Sequence, residues 1–136
     1  MEIDELMHSF FTEMNNWERF CNQIDRESTF SYEIKSKKQK DEVRKITDKY
    51  LTKKERKMGL PEYISYGDEG SYSYNPDEEE IVVIEIIKNN ATVTTARKKP
   101  IEQQYRYFLK KSKDGWLIDS KKRFSNWKGK WESAIL

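Results

Sequence analysis

The apolar residues in the first part of the chain recur at intervals of three and four positions. They are Leu6, Met7, Phe10, Phe11, Met14, Trp17, Phe20, Cys21 and Ile24. This spacing places them along one face of an α-helix. The pattern predicts a long first helix, with Asp4 as its N-cap and an aromatic face that needs a broad packing partner.

A narrower apolar stripe begins after Lys37 and lies among many lysines. It consists of Val43, Ile46, Tyr50 and Leu51. Its helical spacing predicts a second helix on the surface of the protein. The sequence from Thr52 to Glu55 has the spacing of a capping box, which predicts a short third helix that ends near Gly59.

From about residue 63, runs of β-branched and aromatic residues separated by turn residues replace the helical spacing. The predicted strands are Ser71 to Tyr74, Ile81 to Lys88, Ala91 to Arg97, Gln103 to Lys111 and Trp116 to Phe124. Turns are predicted at Asn75-Pro76-Asp77, Asn89-Asn90 and Asp114-Gly115, the last two making antiparallel hairpins. The segment from Trp127 to Trp131 either extends the last strand or folds over an edge. Helices followed by strands predict one α+β domain over residues 1–136.

The length and composition of the chain argue against a membrane-spanning or secreted protein. The chain has 136 residues, and no apolar run approaches the roughly 18 residues of a membrane helix. The N-terminus is acidic, unlike a secretory signal, and Cys21 is the only cysteine, so no internal disulfide can form. We therefore expect a cytoplasmic protein without a membrane partner.

The charges are segregated along the chain, although the net charge is only +2. Residues 62 to 80 contain seven acidic residues and no basic residue. This segment is either a solvated loop or a docking surface, in which tyrosines supply contact area and acids steer a basic partner. The docking interpretation predicts a partner-binding set of Asp68, Glu69, Tyr72, Tyr74, Asp77, Glu78, Glu79 and Glu80.

Signatures of catalysis are absent from the sequence. His8 has no evident orienting carboxylate or nucleophile, and Cys21 lies on the apolar stripe of the first helix. The sequence contains no phosphate-binding loop, dinucleotide fingerprint or metal-ligand spacing, so we expect neither catalytic residues nor a cofactor or metal. Glu85 interrupts an apolar strand and lies either on an edge in solvent or in a cavity.

Nucleic acid is a second class of partner to consider, because lysines and arginines alternate with aromatic residues in the last hairpin. The near-neutral total charge and the acidic segment both oppose attraction to phosphate. Tyr105 and Tyr107 are explained more simply as one face of a packed strand. We therefore expect no nucleic-acid partner.

Two segments carry a resemblance to a known family. They are residues 10–18 of the first helix, Phe-Phe-Thr-Glu-Met-Asn-Asn-Trp-Glu, and residues 105–119 of the closing hairpin, which end in Gly-Trp-Leu-Ile-Asp. With Trp127 and Trp131, they resemble the NTF2-like superfamily, and within it the NTF2 fold immunity proteins of bacterial polymorphic toxin systems. The resemblance implies a cystatin-like cone in which a curved antiparallel sheet wraps around the long first helix.

The resemblance also implies a function. It implies a protein that neutralises a cognate toxin by binding it, and the acidic segment makes a basic nuclease domain a sensible target. The alternative is a small-molecule-binding or ketosteroid-isomerase-like pocket protein, and a homodimer through the exposed sheet face stays open. The residues predicted to line the cone are Phe10, Met14, Trp17, Glu85, Tyr105, Tyr107 and Trp116.

Overall fold

A computed structural model describes residues 1–99 and 101–136 of the chain. Two helices come first, α1 (Ile3–Asp25) and α2 (Tyr32–Tyr50). They are followed by strands β1 (Glu79–Ile87), β2 (Asn90–Arg97), β3 (Gln103–Ser112), β4 (Gly115–Ser125) and β5 (Lys130–Ala134). The strands form one antiparallel sheet in the order β1-β2-β3-β4-β5. The predicted α+β class is confirmed.

Both long helices are present, with different starts from those predicted. The N-cap of α1 is Glu2 and not Asp4, which lies within the first turn, where an acid still suits the helix dipole. The second helix begins at Tyr32, where the side chain of Ser31 accepts a hydrogen bond from the backbone nitrogen of Ile34. None of the helices that the structure describes is long and apolar enough to cross a membrane.

The predicted third helix is wrong, because Thr52, its predicted N-cap, binds β4 instead. The Thr52 hydroxyl donates a hydrogen bond to Asp119 Oδ1 at 2.7 Å, and the Thr52 backbone nitrogen donates to the Ile118 carbonyl at 2.9 Å. Arg56 donates to the carbonyl oxygens of Thr52 and Asp119. These tertiary bonds dock the end of α2 on the sheet and replace the bonds that a helix would make.

The strand predictions are confirmed for the two hairpins and wrong for the segment from Ser71 to Tyr74, which is a loop. The first hairpin turns at Lys88-Asn89, one residue earlier than predicted, and Lys88 has a positive φ of 55°. The second hairpin turns at Lys113-Asp114, before Gly115 with φ 120°. The segment after Trp127 contributes β5, which pairs antiparallel with β4.

Two β-bulges decide which side chains face the helices. In β1, Ile81 pairs with Thr95 and Val83 with Thr94, so Val82 is an extra residue. An extra residue reverses the alternation of all side chains that follow it.

The second bulge has the same effect in β4. Phe108 pairs with Ser120 and Leu109 with Ile118, which leaves Asp119 as the extra residue. Lys121 therefore shares the inner face with Tyr107, its register partner on β3.

The hydrophobic core lies between α1, α2 and the inner face of β2, β3 and β4. Its fully buried members are Met7, Phe10, Cys21, Val43, Val93, Tyr107 and Ile118. Phe10 packs edge-on against Tyr74 and Tyr50, with ring centres 5.4 and 5.8 Å apart. The loop before β1 is thereby part of the core.

Candidate functional site

The inner face of the sheet and the loop before β1 border a cavity of about 780 Å³. Much of its wall is apolar or aromatic, formed by Met14, Leu60, Ile64, Tyr72, Tyr74 and Tyr105. Three basic side chains also line it, Arg97, Lys121 and Arg123, whereas no acidic side chain of the described residues does. The volume is that of a pocket for a small ligand, which typically measures about 300–1,000 Å³.

The loop over residues 67–74 forms one wall of the cavity and is held by α1. The fully buried carboxylate of Glu18 accepts hydrogen bonds from the backbone nitrogens of Gly67, Ser73 and Tyr74, at 2.8, 2.8 and 2.7 Å. Burial raises the pKa of the Glu18 carboxyl, and these hydrogen bonds oppose only part of that rise. One side chain therefore fixes both ends of the loop.

Two asparagines on the same face of α1 complete this attachment. Asn15 Nδ2 donates to the Tyr74 carbonyl at 2.8 Å, and Asn22 Nδ2 donates to the Gly67 carbonyl at 2.9 Å. From the sheet, Arg97 donates to the carbonyl oxygens of Tyr72 and Ser73 at 3.0 and 2.6 Å. The loop wall is thus bound to helix and sheet at once.

Glu79 starts β1 opposite Arg97 and points inward. Its Oε2 accepts hydrogen bonds from Thr95 Oγ1 at 2.6 Å and from the Tyr107 hydroxyl at 3.3 Å. Its buried Oε1 has no hydrogen-bond partner among the described residues. The carboxylate is thereby anchored to the sheet beside the cavity.

Lys121 is 8% exposed and points among three tyrosine rings. Its Nζ lies 4.3 Å from the ring centre of Tyr105, 4.6 Å from that of Tyr74 and 5.4 Å from that of Tyr107. Burial, opposed in part by the charge of Glu79, lowers the pKa of the ammonium to about 8. In the part of the chain that the structure describes, this ammonium has neither a hydrogen bond nor an ion pair.

A second surface lies at the open edge of the sheet. β1 pairs with β2 on one side only, and its apolar side chains are exposed on both faces. They are Val82, Val83, Ile84, Ile86 and Ile87, with exposures from 37% to 69%. Ile84 and Ile86 share the inner face with Val93 and Ala91, whereas Val83 and Ile87 point outward.

Comparison with known proteins decides the class. A model of the NTF2 fold immunity protein family matches residues 2–134. The chain is 34% identical over 131 residues to the immunity protein RhsIA of Dickeya dadantii strain 3937, covering 96% of this chain and 93% of that protein. The chain belongs to the NTF2 fold immunity protein family. A comparison with solved structures gave no match.

Membership in the NTF2 fold immunity family confirms the resemblance seen in the sequence and the predicted function. An immunity protein neutralises a toxin by binding it, without catalysis. The residues considered for chemistry fit that role: His8 is exposed on α1, and Cys21 is fully buried in the core. Burial raises the pKa of the Cys21 thiol, which makes it a poor nucleophile.

In this immunity protein, some residues of the predicted partner-binding set are exposed and others are buried. Asp68, Glu69, Asp77 and Glu80 are exposed, and Glu78 is half-buried. Tyr72, Tyr74 and Glu79 are buried, so the expectation that the whole segment forms an exposed surface is wrong. The cause is the attachment to Glu18, Arg97 and Thr95, partners that lie far away in sequence. Toxin binding by the exposed acids stays a prediction.

Of the residues predicted to line the cone, Met14 and Tyr105 border the cavity. Phe10 and Tyr107 lie in the core, and Trp17 packs between the helices, where its Nε1 donates to the Gln39 carbonyl at 2.9 Å.

Two further pocket predictions are corrected by the structure. Glu85 is exposed on the outer face, because the bulge at Val82 reverses the alternation in β1. Trp116 is half-buried near the turn of the second hairpin, opposite Lys111, and does not border the cavity.

The sequence reasoning missed the polar residues that build the cavity. Asn15, Glu18 and Asn22 recur at helical spacing beside the apolar stripe of α1, a signal that could have revealed a buried polar row. Arg97 and Lys121 gave no comparable signal, since both sit in runs of basic residues. Lys121 points inward because of the bulge at Asp119. A strict alternation of side chains along β4 does not predict that bulge.

Proposed function

We propose that this immunity protein binds its toxin along the open edge of β1, and that acids beside the strand attract a basic toxin surface. The observation that carries the proposal is the row of exposed apolar side chains on an unpaired edge strand. The immunity function requires a protein partner, and this edge offers apolar side chains and unpaired backbone groups to one.

Soluble proteins protect their edge strands with charges, prolines or very short strands. β1 is nine residues long, and Glu85 is the only charged residue between Ile81 and Ile87. Val82 and Ile87 are 60% and 69% exposed, the usual sign of a surface that a partner covers. The opposite edge, β5, has only five residues and carries an ion pair between Glu132 and Arg123 of β4.

The charge beside the strand favours a basic occupant. Asp77, Glu78 and Glu80 come immediately before the apolar run, with no basic residue between 62 and 80. Nuclease domains carry basic surfaces because they bind phosphate backbones, and acids in an inhibitor would steer such a surface during encounter. A basic nuclease toxin is therefore the partner that we propose.

A pair of isoleucine variants tests the proposal. Ile86→Lys puts a charge in the middle of the apolar edge, whereas Ile34→Lys puts the same charge on the exposed surface of α2. We expect Ile86→Lys to weaken binding of the cognate toxin domain about tenfold or more, as loss of an interface anchor does. Ile34→Lys should leave the affinity unchanged.

The experiment also tests the homodimer. Sedimentation of the free protein shows whether two copies pair through the β1 edge, because Ile86→Lys would then convert a dimer to a monomer. Equal toxin affinities for both variants would overturn the proposal, and so would a dimer through this edge that the toxin does not dissociate. Circular dichroism of each variant confirms that it is folded.

A further inference from the structure

We propose that the cavity of the cone is a binding site for a carboxylate group, with the Lys121 ammonium as its charge partner. The site is distinct from the β1 edge, because none of the exposed apolar residues of β1 lines the cavity. It would give this immunity protein a ligand that toxin neutralisation by itself does not require.

The Lys121 ammonium is a cation without a charge partner in the described part of the chain. Lys121 is more than nine-tenths buried, and its Nζ has no hydrogen-bond or ion-pair partner among the described residues. It lies over the faces of Tyr105 and Tyr74, which attract a cation but offer no acceptor for its three protons. Lys121 lines the cavity, so an anion bound there would supply the acceptor that the described residues do not.

The charge around the cavity is positive. Its wall contains three basic side chains and no acidic side chain of the described residues. Arg97 is engaged with backbone carbonyl oxygens, and Arg123 is paired with Glu132 at 2.8 Å. Glu79 does not line the cavity, and neither its Oε2, which Thr95 holds, nor its unpartnered Oε1 lies within ion-pair distance of Lys121 among the described residues. Of the three basic side chains, Lys121 is therefore the one that can pair with an incoming anion.

Two tyrosine hydroxyl groups beside Lys121 are further hydrogen-bond donors. The hydroxyl groups of Tyr74 and Tyr105 donate to no acceptor in the described part of the chain, and both rings border the cavity beside Lys121. A carboxylate offers about four lone-pair sites, enough for an ammonium and two hydroxyl groups. Met14, Leu60 and Ile64 would contact an apolar body attached to it. The ligand class is therefore an aromatic or alkyl carboxylate.

Calorimetric titration of the full chain with phenylacetate and with phenylacetamide tests the site. The two probes have the same shape and differ in charge, so a preference for phenylacetate reports the cation. We expect phenylacetate to bind at least tenfold more tightly, and Lys121→Met to remove the preference. Lys122→Met, which deletes a charge from the outer face on the next residue, should retain it.

Other outcomes overturn the inference: equal binding of the two probes, binding of neither, or a preference that survives in Lys121→Met. Should Lys121→Met fail to fold, Tyr105→Phe removes one hydroxyl donor and must reduce the preference if the site is real.

Two sources of the carboxylate are distinguished by repeating the titration on the toxin complex. A toxin side chain in the cavity would block phenylacetate, and Lys121→Met would then weaken toxin binding. A free small molecule would still bind in the complex. The site does not rest on the proposed edge contact, since Ile86→Lys should leave phenylacetate binding intact.

Discussion

The carboxylate of Glu18 accepts a hydrogen bond from the backbone nitrogen of Tyr74, 2.7 Å away and 56 residues later in the chain. With the bonds from Gly67 and Ser73, this contact turns an acidic, polar segment into a wall of the core. It explains why Tyr72 and Tyr74 are buried although their neighbours in the chain are polar serine and asparagine residues.

Glu18→Ala should therefore destabilise the protein strongly. It leaves three backbone N–H groups without their acceptor, those of Gly67 and Ser73 partly buried and that of Tyr74 buried, and an unsatisfied buried group costs about 1–3 kcal/mol. We expect a loss of about 3 kcal/mol or more in the free energy of unfolding, measured by urea denaturation. Glu27→Ala, an exposed position just after α1, should change it by less than about 0.5 kcal/mol. Equal effects of the two substitutions would refute the role of Glu18.

Gly67→Ala tests the close approach within the same loop. A methyl group at Gly67 would lie 2.0 Å from the Ser71 carbonyl oxygen, which is backbone and must therefore move. We expect a loss of about 1–3 kcal/mol, typical of an overpacked site, and a lower Tm. Ser71→Ala removes an exposed hydroxyl and its long, solvent-exposed hydrogen bond to the Asp68 carbonyl, and it serves as the control. An unchanged Tm in Gly67→Ala would show that the loop is looser than described.

The helices and hairpins could be predicted from the sequence better than the cavity, because they depend on local signals. Helical spacing and the Asp114-Gly115 turn are local signals, so α1, α2 and the second hairpin were recognised. The bulges at Val82 and Asp119 are not visible in the alternation, yet they turn Glu85 outward and Lys121 inward. The sequence does not predict burial of the acidic loop, because its partner, Glu18, lies far away in sequence.

Lys121→Met should raise the free energy of unfolding at pH 7 by about 1–3 kcal/mol, because it removes a buried, unpaired charge. The ammonium has a pKa of about 8 in the folded protein and an ordinary value of 10.5. The unfolded chain therefore holds this proton more tightly between these values, so the wild-type penalty diminishes as the pH rises.

The measurement is urea unfolding of both proteins between pH 7 and 10. The advantage of Lys121→Met should shrink from pH 8 upward. Cys21 and the tyrosines are present in both proteins, so their ionisation cancels in the difference. A constant difference over this range would show that the Lys121 pKa is not depressed.

Reversal of the acids beside β1 tests electrostatic steering. Asp77→Lys together with Glu80→Lys should slow association with the cognate toxin domain and change its dissociation little, since exposed charges act mainly during encounter. Added salt should slow association of the wild type in the same manner. Glu27→Lys together with Glu102→Lys is the charge-matched control. The same reversal at Asp68 and Glu69 measures whether the surface extends to that loop.

Hydrogen–deuterium exchange of the immunity protein, free and saturated with the cognate toxin domain, tests the central claim most directly. The open-edge amides of β1 lack a partner strand, so a toxin bound along this edge should slow exchange between Glu79 and Ile87. We expect that protection, together with unchanged exchange over α2. Protection confined to α2 or to β5, with β1 exchanging as in the free protein, would contradict the account.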